Sequence, residues 1–103
     1  MGIDAHLEDE GGTAIQIVGD PKSILTRAVL EGHFSSGPIC LRFLDPYGDV
    51  AFNHLQWPFL AEELREVLDS SSDPELRGQV KKVLRLIDKG RKRLHHYIKF
   101  YGD

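Results

Sequence analysis

The sequence predicts an α+β fold, a single two-layer domain over residues 1–103 with helices mainly on one face of an antiparallel or mixed sheet. Three features point to it. Period-two alternation of apolar and polar residues marks both ends of the chain. Two helical stretches open on Asp-Pro, at Asp20-Pro21 and Asp73-Pro74. A turn at Asp45-Pro46-Tyr47-Gly48 sends the middle of the chain back on itself.

Taken in order, Ile3, Ala5 and Leu7 alternate with Asp4, His6 and Glu8, which is the period of a half-buried strand. Glu10-Gly11-Gly12 supplies a turn and Thr13 to Val18 a second strand, so residues 3–18 are expected to form a hairpin. Asp20 is placed to accept from free helical N–H groups, with Pro21 at the first helical position. Ile24, Leu25, Ala28 and Val29 then share a face, and Gly32 stops the helix. Residues 33–38 read as a loop. Ile39 to Leu44 is the most apolar stretch and predicts a central strand. The type I turn at 45–48 would return Asp49 to Asn53 antiparallel to it. Trp57-Pro58 opens a second helix with Leu60, Leu64, Val67 and Leu68 as its stripe. Asp73-Pro74 opens a third, with Leu76, Val80, Val83, Leu84 and Ile87 inward and Gly90 as its stop. From Leu94, apolar alternation with His95, Tyr97, Lys99 and Tyr101 predicts a last strand. The expected order is therefore β-β-α-β-β-α-α-β.

Composition narrows the function classes. The hydrophobic fraction of 41% and charged fraction of 28% are those of a globular chain and not a disordered one. No apolar run approaches the roughly 18 residues of a membrane span, and the N-terminus lacks the basic-then-apolar pattern of a signal peptide. A single cysteine, Cys40, forms no internal disulfide. The expected location is the cytoplasm.

Charge is divided along the chain. Residues 1–76 carry 4 Lys/Arg against 14 Asp/Glu, a net of −10, while residues 77–103 carry 9 against 2, a net of +7. Lys81, Lys82, Arg85, Lys89, Arg91, Lys92 and Arg93 form a candidate basic patch for phosphate or an acidic partner. The plainer account is that cations near a helix C-terminus offset its dipole. With the whole chain at −3, nucleic-acid binding ranks third among the functional readings.

A second candidate region runs from Asp45 to Trp57. Asp45, Tyr47, Asp49, Asn53, His54, Gln56 and Trp57 place two carboxylates, a phenol, amides and an imidazole within a short stretch. Asp45 and Asp49 could approach a cation together, and His54 could serve as a base. Turn and cap chemistry explains the same residues without a ligand. Histidine and cysteine spacings fit no zinc site, and no glycine-rich phosphate loop is present. No catalytic residue, metal or cofactor is assigned.

The opening Gly2-Ile3-Asp4, Asp20-Pro21-Lys22, Asp45-Pro46-Tyr47-Gly48-Asp49, Phe52-Asn53-x-x-Gln56 and the closing Phe100-Tyr101-Gly102-Asp103 resemble a family of short uncharacterised bacterial proteins. That resemblance implies a bacterial origin and no particular activity. The expected function is a small non-enzymatic protein-binding module, immunity-like or regulatory, whose partner is another protein. A small enzyme or ligand-binding protein built on Asp45–Gln56 is the alternative. The aromatic C-terminal strand, if it lies at a sheet edge, offers a route to oligomers.

Overall fold

Alternation at the start of the chain becomes a hairpin. In the computed structural model, which describes residues 2–34, 37, 39–93 and 95–102, β1 (Asp4–Glu8) pairs antiparallel with β2 (Ala14–Val18). Asp9 fixes the turn, its Oδ1 accepting from the Gly11 and Thr13 amides at 2.9 Å each.

Asp20 then ties hairpin to helix. Its carboxylate, 1% exposed, accepts from the Ile24 N–H at 2.8 Å and from the Ile3 and Leu25 N–H groups at 3.0 Å. Pro21 and Lys22 form a turn, so α1 (Ile24–Leu30) begins after Pro21 and not at it. Gly32 ends the helix as expected. At φ 80° it donates to the Val29 carbonyl while His33 donates to Ala28, closing a Schellman motif.

The segment expected as a central strand changes in kind. Leu41–Phe43 is a 3-10 turn, and the cause is Glu63. Its buried carboxylate accepts from the successive amides of Ile39 at 2.8 Å, Cys40 at 3.0 Å and Leu41 at 2.9 Å. In a strand consecutive N–H groups point to opposite sides, so three in a row cannot meet one carboxylate. The second predicted hairpin is therefore absent, and Cys40 is buried beside Glu63 instead of within the sheet. Of the predicted loop 33–38, Ser35, Ser36 and Pro38 lie outside the described residues, as does Leu94 at the expected start of the last strand.

β3 (Asp49–Phe52) pairs with β4 (Tyr97–Tyr101), and β4 also pairs with β1. The sheet order is β2-β1-β4-β3, antiparallel throughout. The C-terminal strand is thus internal, hydrogen-bonded on both sides, and offers no edge to another chain. Apart from the 3-10 turn, the elements follow the predicted order.

α2 (Trp57–Ser70) and α3 (Pro74–Gly90) complete the helical layer. Asp73 caps α3 through the Glu75 amide at 3.0 Å, with Pro74 at the first position as predicted. α3 lies centrally, packed on β1, β2 and β4 and flanked by α1 and α2. Leu76, Val80, Val83 and Ile87 meet Ala5, Leu7, Ile98 and Phe100 in the core. Gly90 is the tightest point. A Cβ there would come within 2.8 Å of both Leu7 Cδ1 and the Trp57 ring. The glycine therefore serves close packing and not a left-handed stop, since its φ is not positive.

Candidate functional site

Most polar groups of Asp45–Trp57 are engaged locally. Asp45 Oδ1 accepts from the Tyr47 amide at 2.8 Å, and Gly48 donates to the Asp45 carbonyl at 3.4 Å. Tyr47 is 76% exposed. Asp49 is exposed on β3, beyond the turn. Asn53 and Gln56 form a reciprocal box one turn ahead of α2. Asn53 Oδ1 accepts from the Leu55 and Gln56 amides at 3.0 and 3.2 Å, and Gln56 Oε1 accepts from the Asn53 amide at 2.9 Å. The Trp57 indole is buried and donates to the Phe52 carbonyl at 2.8 Å. Asp45, Asp49 and Asn53 do not line a common cavity with His54.

His54 and Trp57 instead meet the basic quarter of the chain. They line a cleft of about 320 Å³ together with Pro58, Arg91, Arg93 and His95. Local structure explains the meeting. The Asn53–Gln56 box turns the chain into α2, placing Trp57 at its first position. Gly90 lets the end of α3 come against the Trp57 ring. The chain then tightens, with Arg93 donating to the Gly90 carbonyl at 3.0 Å. His95 takes a left-handed conformation, φ 58°, before β4 begins, so it precedes the strand that alternation had extended over it. His95 and Pro58 were not among the site residues expected. A left-handed histidine leaves no mark in the alternation pattern, because that pattern records only side-chain polarity.

The cleft is electropositive. Among the described residues no carboxylate lines it, and the first turn of α2 carries no acid. Arg91 is paired with Asp88 at 3.5 Å, both side chains half-exposed. Arg93 has no carboxylate within ion-pair distance among the described residues. The remaining basic residues spread more widely. Lys81, Lys82, Arg85 and Lys89 occupy the exposed arc of α3 opposite its core stripe. Lys89 donates to Gln16 at 2.6 Å. With Lys92, Arg93 and Asp88 it also lines a shallower hollow beside the cleft.

A second titratable cluster lies on the sheet face away from the helices. The Tyr101 hydroxyl donates to the buried Glu8 carboxylate, and His6 Nδ1 stands 3.4 Å from the same oxygen. The His6 and Tyr101 rings are 4.4 Å apart. Acceptance by Glu8, helped by desolvation, raises Tyr101 above the ordinary phenol range. These groups satisfy one another across β1 and β4. Elsewhere, burial and then the Glu63 charge raise the Cys40 thiol above its ordinary value, which keeps it protonated and inert. Among the described residues, no group of three or more His, Cys, Asp or Glu is placed to hold a metal ion. No helix among them is long and apolar enough to cross a membrane.

No protein-family model, curated protein or solved structure matches the chain. The Gly2-Ile3-Asp4 and Phe100-Tyr101-Gly102-Asp103 segments each carry a glycine with evident structural work. A Cβ on Gly2 would lie 1.9 Å from the Asp20 carbonyl oxygen, and one on Gly102 would lie 2.1 Å from that of Asp45. Both glycines stand where another stretch of backbone crosses them.

Proposed function

We propose that this chain is a small protein-binding module, acting in a bacterial cytoplasm, whose contact surface is the cleft between the start of α2 and the α3–β4 connection. One observation carries the proposal. The two stretches that the sequence marks independently, Asp45–Trp57 and the basic C-terminal quarter, meet there and nowhere else among the described cavities. An apolar wall with a few converging polar groups is the usual form of a recognition site, and Arg is among the side chains most enriched in residues that dominate binding. The Asn53–Gln56 box supports the site from beneath by fixing where α2 begins.

The test is recovery of partners from a cell lysate by immobilised wild type and two charge variants. Arg91→Glu with Arg93→Glu is expected to lose partners that wild type retains. Glu62→Lys with Glu66→Lys, on the exposed side of α2, is expected to keep them. Equal recovery by wild type and the arginine variant, with both folded by circular dichroism, would remove the cleft from consideration.

A further inference from the structure

The lining of the cleft constrains the chemistry of its occupant. Among the described residues, every lining side chain is either apolar or a nitrogen base: Trp57 and Pro58, with Arg91, Arg93, His54 and His95. The positive end of α2, a helix of 14 residues, opens on the same space with no acid in its first turn to offset it. The C-terminal end of α3 explains part of this basic character, since it carries about half a negative charge. Half a charge does not balance Lys89, Arg91, Lys92 and Arg93, and Asp88 engages only Arg91. Gathered like charges are relieved by an incoming anion. At about 320 Å³ the cleft stands at the small end of ligand-site volumes, and its apolar wall has nothing to offer a bare ion. An extended polyanion is disfavoured for a different reason. It needs a long continuous basic track, whereas a short segment needs only the cleft, and the chain's first 76 residues are net −10.

We propose that the cleft takes an acidic peptide segment of a partner protein. One aromatic side chain seats against the exposed Pro58, over the buried Trp57, and its flanking carboxylates reach Arg91 and Arg93. This deepens the preceding proposal and rests on the cleft being the contact surface. Arginine suits the role because its planar fork meets a carboxylate through two hydrogen bonds.

Trp57 is the chain's single tryptophan and lies buried beside the cleft, so its emission reports a change at the site, and anisotropy of a labelled peptide reads occupancy itself. The probe is an end-blocked pentapeptide with a central phenylalanine flanked by glutamates. Its controls replace the phenylalanine by alanine, or every glutamate by lysine. Wild type is expected to bind the phenylalanine peptide saturably and the alanine peptide roughly tenfold more weakly, and to ignore the lysine peptide. Arg93→Gln is expected to weaken binding roughly tenfold, while Lys82→Gln, on the far part of α3, leaves it unchanged. Three results would each overturn the proposal: no saturable binding by either readout, alanine peptide or inorganic phosphate bound as tightly as the phenylalanine peptide, or a single-stranded oligothymidylate bound more tightly than it. If the peptide fails while lysate recovery still depends on Arg91 and Arg93, the contact surface stands and only the peptide chemistry falls. If both fail, both proposals fall.

Discussion

Asp20, Glu63 and Glu8 show how much of this chain's acidity is turned inward. Each is buried and accepts from donors it holds in place: three backbone amides on Asp20, three on Glu63, and the Tyr101 hydroxyl on Glu8. Only Asp20 was legible in advance, because Asp before Pro is a helix-start signal. Glu63 lies between Leu60 and Leu64 on the face α2 turns inward, and a charged residue inside an apolar stripe is the one signal that could have marked it. Glu8 obeys the alternation and shows no such irregularity. The Tyr101 network gives a pH prediction. The folded state favours the neutral phenol, so its contribution is complete below about pH 10, the ordinary phenol value, and is lost as pH rises through the higher folded value. Tyr101→Phe is expected to lower stability by about 1 kcal/mol near neutral pH and to flatten the alkaline limb, measured by urea denaturation between neutral and strongly alkaline pH. At Cys40, the raised thiol and its burial predict slow labelling by a disulfide reagent at pH 8, accelerating sharply in denaturant. Fast labelling of the folded chain would contradict the packing described.

Among the elements, helices were more legible than strands. The apolar periods of α2 and α3, the Asp73-Pro74 cap and the Gly32 stop all survive in the structure. Residues 39–44 did not read correctly, because a short apolar run has no period to separate a strand from a buried turn. The deciding partner, Glu63, is 22 to 24 residues away. Gly90 has the look of a helix stop in the sequence, while its role is to admit Trp57 and Leu7. Two substitutions in the same helix separate these roles. Gly78→Ala, where nothing lies within 4 Å, is expected to raise stability by about 1 kcal/mol from helix propensity alone. Gly90→Ala meets atoms at 2.8 Å and is expected to lower it by about 1–2 kcal/mol, overpacking outweighing propensity. Thermal denaturation of the pair checks both signs. The cleft shows the same limit of sequence reading. Its two halves were each marked, but their contact depends on a glycine that looked like punctuation.

Across the whole molecule, the chain closes on itself by pairing its first and last strands, Asp4 facing Tyr101 and Leu7 facing Ile98. Pairing between the ends of a sequence is not written in local pattern, which is why class and element order were readable and strand order was not. The consequence is that β4 is indispensable. A chain ending after residue 96 is expected to lose its cooperative thermal transition, since β1 and β3 would each lose a partner and the core would lose Ile98 and Phe100. Retention of a sharp transition by that truncation would refute the topology. The charge division also takes its place at this scale: cationic groups gather where α3 ends, beside a cleft shared by both marked stretches. The most direct measurement of the central claim is a titration of the isotope-labelled chain with the glutamate–phenylalanine peptide, followed by amide and indole chemical shifts. The account predicts that the largest changes fall on the Trp57 indole N–H, His54, Arg91, Arg93 and His95 together. Changes confined to the exposed acidic face of α2 or to the outer face of the sheet, or no changes at all, would contradict it.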